Sequence, residues 1–106
     1  MPKWDNQDSK KLFTAIQKLK NLDETKRFFR DLLTEPEIIE FSNRWKAAQM
    51  LDRQIPYSQI VKDTGLSSTT IARISKWLSK GKGGYKLMIN RTKAHHGNPS
   101  FEKGLR

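Results

Sequence analysis

Residues 63–80 read DTGLSSTTIARISKWLSK, with one glycine, Gly65, ahead of the four hydroxyl side chains Ser67, Ser68, Thr69 and Thr70. Glycine adopts positive φ without steric cost, so Gly65 marks a tight turn, and Ser67 is placed to cap a helix starting at Ser68. On a wheel of about 100° per residue, Ile71, Ile74 and Leu78 share one side of that helix. Thr69, Arg73, Lys76 and Lys80 form a stripe on the other side, flanked by Ala72, and no acid lies on it. Residues 57–64 predict a shorter helix. Its Ile60 and Val61, with Leu66 of the turn, complete a small core with Ile71, Ile74 and Leu78.

Two short helices meeting across a glycine turn form a helix-turn-helix unit, here residues 57–80, whose second helix, 68–80, is the one that enters the DNA major groove. Small and hydroxyl side chains let a helix approach base edges, and cations neutralise phosphates. The candidate DNA-binding residues are therefore Ser58, Gln59 and Lys62 on the first helix, and Ser67, Ser68, Thr69, Thr70, Ala72, Arg73, Lys76 and Lys80 on the second. The free amides at 68–70 add a phosphate site. Val61 stands where such units usually carry alanine, which predicts a slightly wider spacing of the two helices.

Outward from this unit the same helical periodicity recurs, and no segment alternates as a strand would. Leu12, Ile16 and Leu19 predict an amphipathic helix over 7–20. Asp23 is placed to cap a second helix, about 24–33, carrying Phe28, Phe29, Leu32 and Leu33. Thr34-Glu35-Pro36-Glu37 has the form of a capping box and opens a third, about 35–53, with Ile38, Phe41, Trp45 and Ala48 on one face. Gln54-Ile55-Pro56 ends it. Beyond residue 80, Gly81-Lys82-Gly83-Gly84 breaks the chain, 85–91 predicts a short helix, and disorder is expected after about residue 93. The expected architecture is an all-α helical bundle, one domain over 1–91 followed by a basic flexible tail over 92–106.

A chain of 106 residues with 35% hydrophobic residues buries a modest core, so either part of the chain is disordered or a second copy completes some of the core. The absence of cysteine excludes disulfides, thiol catalysis and thiolate metal sites. The first residues lack a secretory apolar run and no segment is long and apolar enough to span a bilayer, so no membrane partner is expected and the expected location is cytoplasmic, on the nucleoid. Charge is segregated: residues 1–52 carry ten Lys/Arg and nine Asp/Glu, residues 53–106 eleven and two. The basic half calls for an anionic partner, double-stranded DNA. Adjacent His95 and His96 lack the further ligands a metal needs, and no nucleophile–base pair or phosphate-cradling glycine loop is visible. Neither an enzyme, a metal nor a cofactor is expected.

From Leu33 to Arg91 the chain resembles the tryptophan repressor superfamily, and within it the tryptophan-repressor-like YerC/YecD group. LTEPEIIEFSNRW at 33–45 is similar to the start of the repressors' long third helix. DTGLSSTTIARISKWL at 63–78 is similar to their helix-turn-helix, with TGxSxxTIxR its most specific portion. GKGGYKLMINR at 81–91 resembles the segment that follows in this group. The resemblance implies an intertwined homodimer with interlocking N-terminal helices, two recognition helices in successive major grooves ~34 Å apart, and Ser68, Thr69 and Ala72 at base edges. It also implies a small-molecule effector pocket at Thr34, Arg44 and Arg73. The family's glycine after the second arginine is Ile74 here. A branched side chain at that position occupies the space of an indole ring, so L-tryptophan is not expected as corepressor and the effector stays open. Arg44 and Arg73 are alternatively partners of phosphates or of nearby carboxylates such as Glu40 and Glu37.

The expected function is sequence-specific binding of double-stranded DNA by a repressor-like transcriptional regulator. Two alternatives stay open: a sequence-independent nucleic-acid binder driven by the basic C-terminal half, and a protein-interaction module using the apolar faces of the first two helices.

Overall fold

The computed structural model describes residues 2–96, with side chains up to residue 93. These residues form six helices and no strand: α1 (Gln7–Ile16), α2 (Leu22–Leu32), α3 (Glu35–Asp52), α4 (Tyr57–Thr64), α5 (Ser68–Lys80) and α6 (Gly84–His96). The all-α expectation is met. No helix among them is long and apolar enough to cross a membrane. The chain divides into two compact units, Met1–Ile39 and Glu40–Arg106.

In the first unit the helix ends differ from the sequence expectation. Asn6 caps α1, its side chain accepting the Ser9 amide at 2.9 Å. The helix closes at Ile16 rather than near residue 20, because the amides of Lys18 and Leu19 turn back three residues onto Ala15 and Ile16. The chain is then extended at Asn21, φ −156°, and Asn21, not Asp23, caps α2: its Oδ1 accepts the Glu24 amide while Glu24 accepts the Lys20 amide. Neither α1 nor α2 contains a buried residue. Trp4 meets Phe13 edge to face at 6.4 Å, and Phe28 meets Phe29 at 5.8 Å. Trp4, Phe13, Leu22, Leu32 and Ile39 all remain exposed. The Thr34–Glu37 capping box forms as expected, with Thr34 N–H donating to Glu37 and Glu37 N–H to Thr34 Oγ1. The Thr34 amide and, after it, the Thr34 hydroxyl both donate to the Glu37 carboxylate and hold it below its ordinary pKa.

The second unit holds the core: Ala47, Ala48 and Met50 of α3, Ile60 of α4, Leu66 of the turn, Ile71 and Ile74 of α5, and Ile89 of α6. Leu78 packs against it half-buried. Val61 departs from the expected core and is 38% exposed. Its place on the inner side of α4 is taken by Thr64, one turn beyond Ile60. The Thr64 hydroxyl donates to the Ile60 carbonyl at 2.7 Å and accepts the Leu66 amide at 3.2 Å, so its burial leaves no polar group unpaired. Val61 therefore does not space the two helices. At the end of α3, Ile55 N–H reaches Met50 O and Gln54 N–H reaches Leu51 O, with Gln54 at φ 62° in a position usually given to glycine.

The last helix is longer than the sequence suggests. It runs through His96 rather than stopping at Arg91, so residues 92–96, assigned to a flexible tail, are helical. Two interactions extend it. Thr92 Oγ1 bonds the carbonyls of Met88 and Ile89 at 3.0 Å, and Lys93 pairs with Asp52 of α3 at 2.6 Å. The expected disorder beyond this point falls on 97–106, outside the described residues.

Candidate nucleic-acid interface

Gly65 lies in the left-handed region, φ 74°, and closes α4 by donating its amide to Val61 O at 2.8 Å. One residue after Leu66 turns inward, Ser67 is extended and caps α5. Its Oγ accepts the Thr70 amide at 3.1 Å and donates to Thr70 Oγ1 at 3.0 Å. Ser67 and Thr70 are thus occupied in the cap, and Thr70 is half-buried. Ser68 and Thr69 keep exposed hydroxyls, with no hydrogen bond to them among the described residues. Their amides sit at the start of the helix, where no intrahelical acceptor exists, and no acid occupies the first turn.

Burial of Ile71 and Ile74, both 0% exposed, fixes the rotation of α5. Thr69, Ala72, Arg73, Lys76 and Lys80 are consequently all exposed. No ion pair takes Arg73, Lys76 or Lys80 among the described residues, so the stripe presents three uncompensated cations beside two free hydroxyls. On α4, Ser58, Gln59 and Lys62 are exposed as well, but Gln59 already donates to Asp63 at 2.8 Å. The sequence reading did not identify that pairing, although a Gln–Asp pair four apart on a helix is a readable signal.

Two of the three residues of the suggested effector pocket, Thr34 and Arg44, are engaged within their own units. Thr34, in the first unit, is spent in the capping box. In the second unit, Arg44 pairs with Glu40 at 3.1 Å and lies over the Phe41 ring at 5.7 Å. This is the carboxylate partner the sequence offered as an alternative. Arg73 is exposed on the stripe, and Ile74 is sealed in the core. Instead, an open groove of about 970 Å³ lies where α5 gives way to α6, walled by Trp45, Trp77, Tyr85 and Met88 and edged by Lys80 and Lys82. Trp45 and Tyr85 stack with planes 16° apart, and burial pushes the Tyr85 hydroxyl up from its ordinary pKa against the opposing charge of Arg44. Trp77 is 44% exposed on this groove. No group of three or more potential metal ligands occurs among the described residues.

Comparison with known proteins follows this geometry. A family model described as Trp repressor protein matches residues 7–93. A relative from Bacillus subtilis (strain 168), described as uncharacterized protein YerC, is 39% identical over 82 residues, covering 77% of this chain and 79% of the relative. A solved structure described as a TrpR like protein from Eubacterium eligens ATCC 27750 superposes with a TM-score of 0.80 at 39% identity, covering 85% of this chain and 93% of that one. Another, described as a putative Trp repressor from Staphylococcus aureus, gives 0.80 at 33% identity over 86% of this chain and 91% of that one.

Proposed function

The chain belongs to the Trp repressor family, a family of DNA-binding transcription regulators rather than enzymes, and on that premise we propose that it is a sequence-specific, repressor-like regulator acting as a homodimer. Each subunit inserts α5 into the major groove, with Ser68, Thr69 and Ala72 toward base edges and Arg73, Lys76 and Lys80 toward phosphates. One observation carries the reading: buried Ile71 and Ile74 turn an acid-free ridge of small, hydroxyl and cationic side chains outward. The homodimer is supported by the apolar side chains left open on α1 and α2, and by the unfilled aromatic groove. Both stay open among the described residues, and exposed apolar surface of this kind marks an interface. Ile74, sealed in the core, supports a regulator that does not take L-tryptophan at the Thr34, Arg44 and Arg73 positions.

Selection of bound duplexes from a random pool at physiological salt tests this. The expected product is a two-fold symmetric site with half-sites about one helical turn apart. Equal recovery of all sequences would remove the specific reading and leave the sequence-independent one. Within the selected site, two substitutions separate base reading from phosphate binding. Thr69→Ala should reduce the preference for the site over a scrambled duplex by about 1 kcal/mol, the scale of one lost base-edge hydrogen bond. Lys76→Ala should weaken both duplexes alike and lower the slope of log K against log salt by about one. Competition binding across a salt series reads both.

A further inference from the structure

Of the Lys and Arg side chains between residues 53 and 93, only Lys86 and Lys93 are ion-paired among the described residues, and both pair with Asp52. Asp52 ends α3 and its side chain is only 11% exposed, whereas Lys86 and Lys93 are 55% and 60% exposed. The two lysines are seven residues apart on α6, two turns along one face, with buried Ile89 between them. The carboxylate sits 2.6 Å from the Lys93 Nζ and 3.5 Å from that of Lys86. On α5 the arrangement is the reverse, since its stripe carries no acid and no ion pair.

We propose that Asp52 is a specificity-determining residue: by holding Lys86 and Lys93 against α3, it withholds these two cations of α6 from the DNA backbone. Backbone neutralisation strengthens binding to every sequence alike, whereas discrimination depends on the difference between sites. Restraining cations away from the reading helix therefore lowers the non-specific background without touching base contacts. The inference rests on the proposed site-specific DNA binding by this chain.

The test is a salt series of the full chain on a scrambled duplex, with thermal unfolding measured in parallel. Asp52→Asn should bind the scrambled duplex several-fold more tightly at low salt and steepen the slope of log K against log salt by about one to two, as freed lysines reach phosphates. Adding Lys86→Gln and Lys93→Gln to that variant should restore the native slope. In the native background the same two lysine changes should leave the slope unaltered. A native-background slope that falls, or an Asp52→Asn slope that stays native in a folded protein, overturns the proposal. Where Asp52→Asn does not fold, Asp52→Ser and the lysine pair in the native background decide. An unmodified chain with no affinity for any duplex would instead sink the DNA-binding reading itself.

Discussion

Ile71→Ala should lower unfolding stability by about 2–5 kcal/mol, the usual range when a large aliphatic side chain is removed from a packed core. Ile71 is 0% exposed, one of four large side chains sealed from solvent together with Ile60, Ile74 and Ile89. Three carbons are lost, at roughly 0.8 kcal/mol each for transfer from water, and a cavity remains in the core that α5 shares with its neighbours. A chain of this size has a total stability of about 5–15 kcal/mol, so the loss is a large fraction of it. Urea denaturation should show the midpoint falling with little change in m. The same side chain sets the rotation of α5, so DNA affinity should fall with stability. Val61→Ala is the control. At 38% exposure, Val61 should cost well under the Ile71 loss, by roughly 1 kcal/mol or less. Equal losses at the two positions would mean that the α4–α5 core is not packed as described.

Gly81→Ala should cost about 1–3 kcal/mol, the range for forcing extra atoms into filled space. The reason is room rather than backbone conformation, because φ at Gly81 is −82°. Its amide donates to Trp77 O at 2.8 Å and ends α5. A Cβ there would stand 2.4 Å from that carbonyl oxygen and 3.1 Å from the carbonyl carbon, all backbone atoms that no rotamer change relieves. Accommodation requires the last turn of α5 to open, which displaces Trp77 and Lys80. Gly84→Ala gives the contrast: nothing lies within 4 Å of its Cβ position, and it begins α6. That change should be neutral or stabilise by up to about 1 kcal/mol, since alanine narrows the unfolded ensemble. Thermal unfolding of the two variants side by side checks both, and a Gly81→Ala variant as stable as Gly84→Ala would refute the steric account.

The helix-turn-helix was legible because its signals are local. Gly65 at positive φ, the Ser67 cap and the spacing of Ile71, Ile74 and Leu78 each depend on neighbours within a turn or two of chain. The Thr34–Glu37 capping box was legible for the same reason. Errors came where two local signals competed or where a partner was distant. Asn21 and Asp23 are both good caps, and Asn21 won because the Glu24 side chain closes back on Lys20. Val61 was expected to be an inner residue, whereas Thr64 is the buried one: its hydroxyl is satisfied on Ile60 O, which removes the cost of burying it. The length of α6 was invisible because its stabilising partner, Asp52, lies far back in the chain. Trp77 stands 44% exposed on a groove shared with Trp45, Tyr85 and Met88, an arrangement set by packing between helices rather than by spacing within one.

Covalent order by itself determined that this chain is helical, that it turns at Gly65, and which side of α5 carries Thr69, Arg73, Lys76 and Lys80. A helix advances by a fixed angle per residue, so sequence spacing alone sorts its side chains onto faces. Tertiary structure alone decided which apolar residues are covered and that Asp52 holds two lysines of another helix. Those outcomes depend on distances between segments remote in sequence, which no local periodicity encodes.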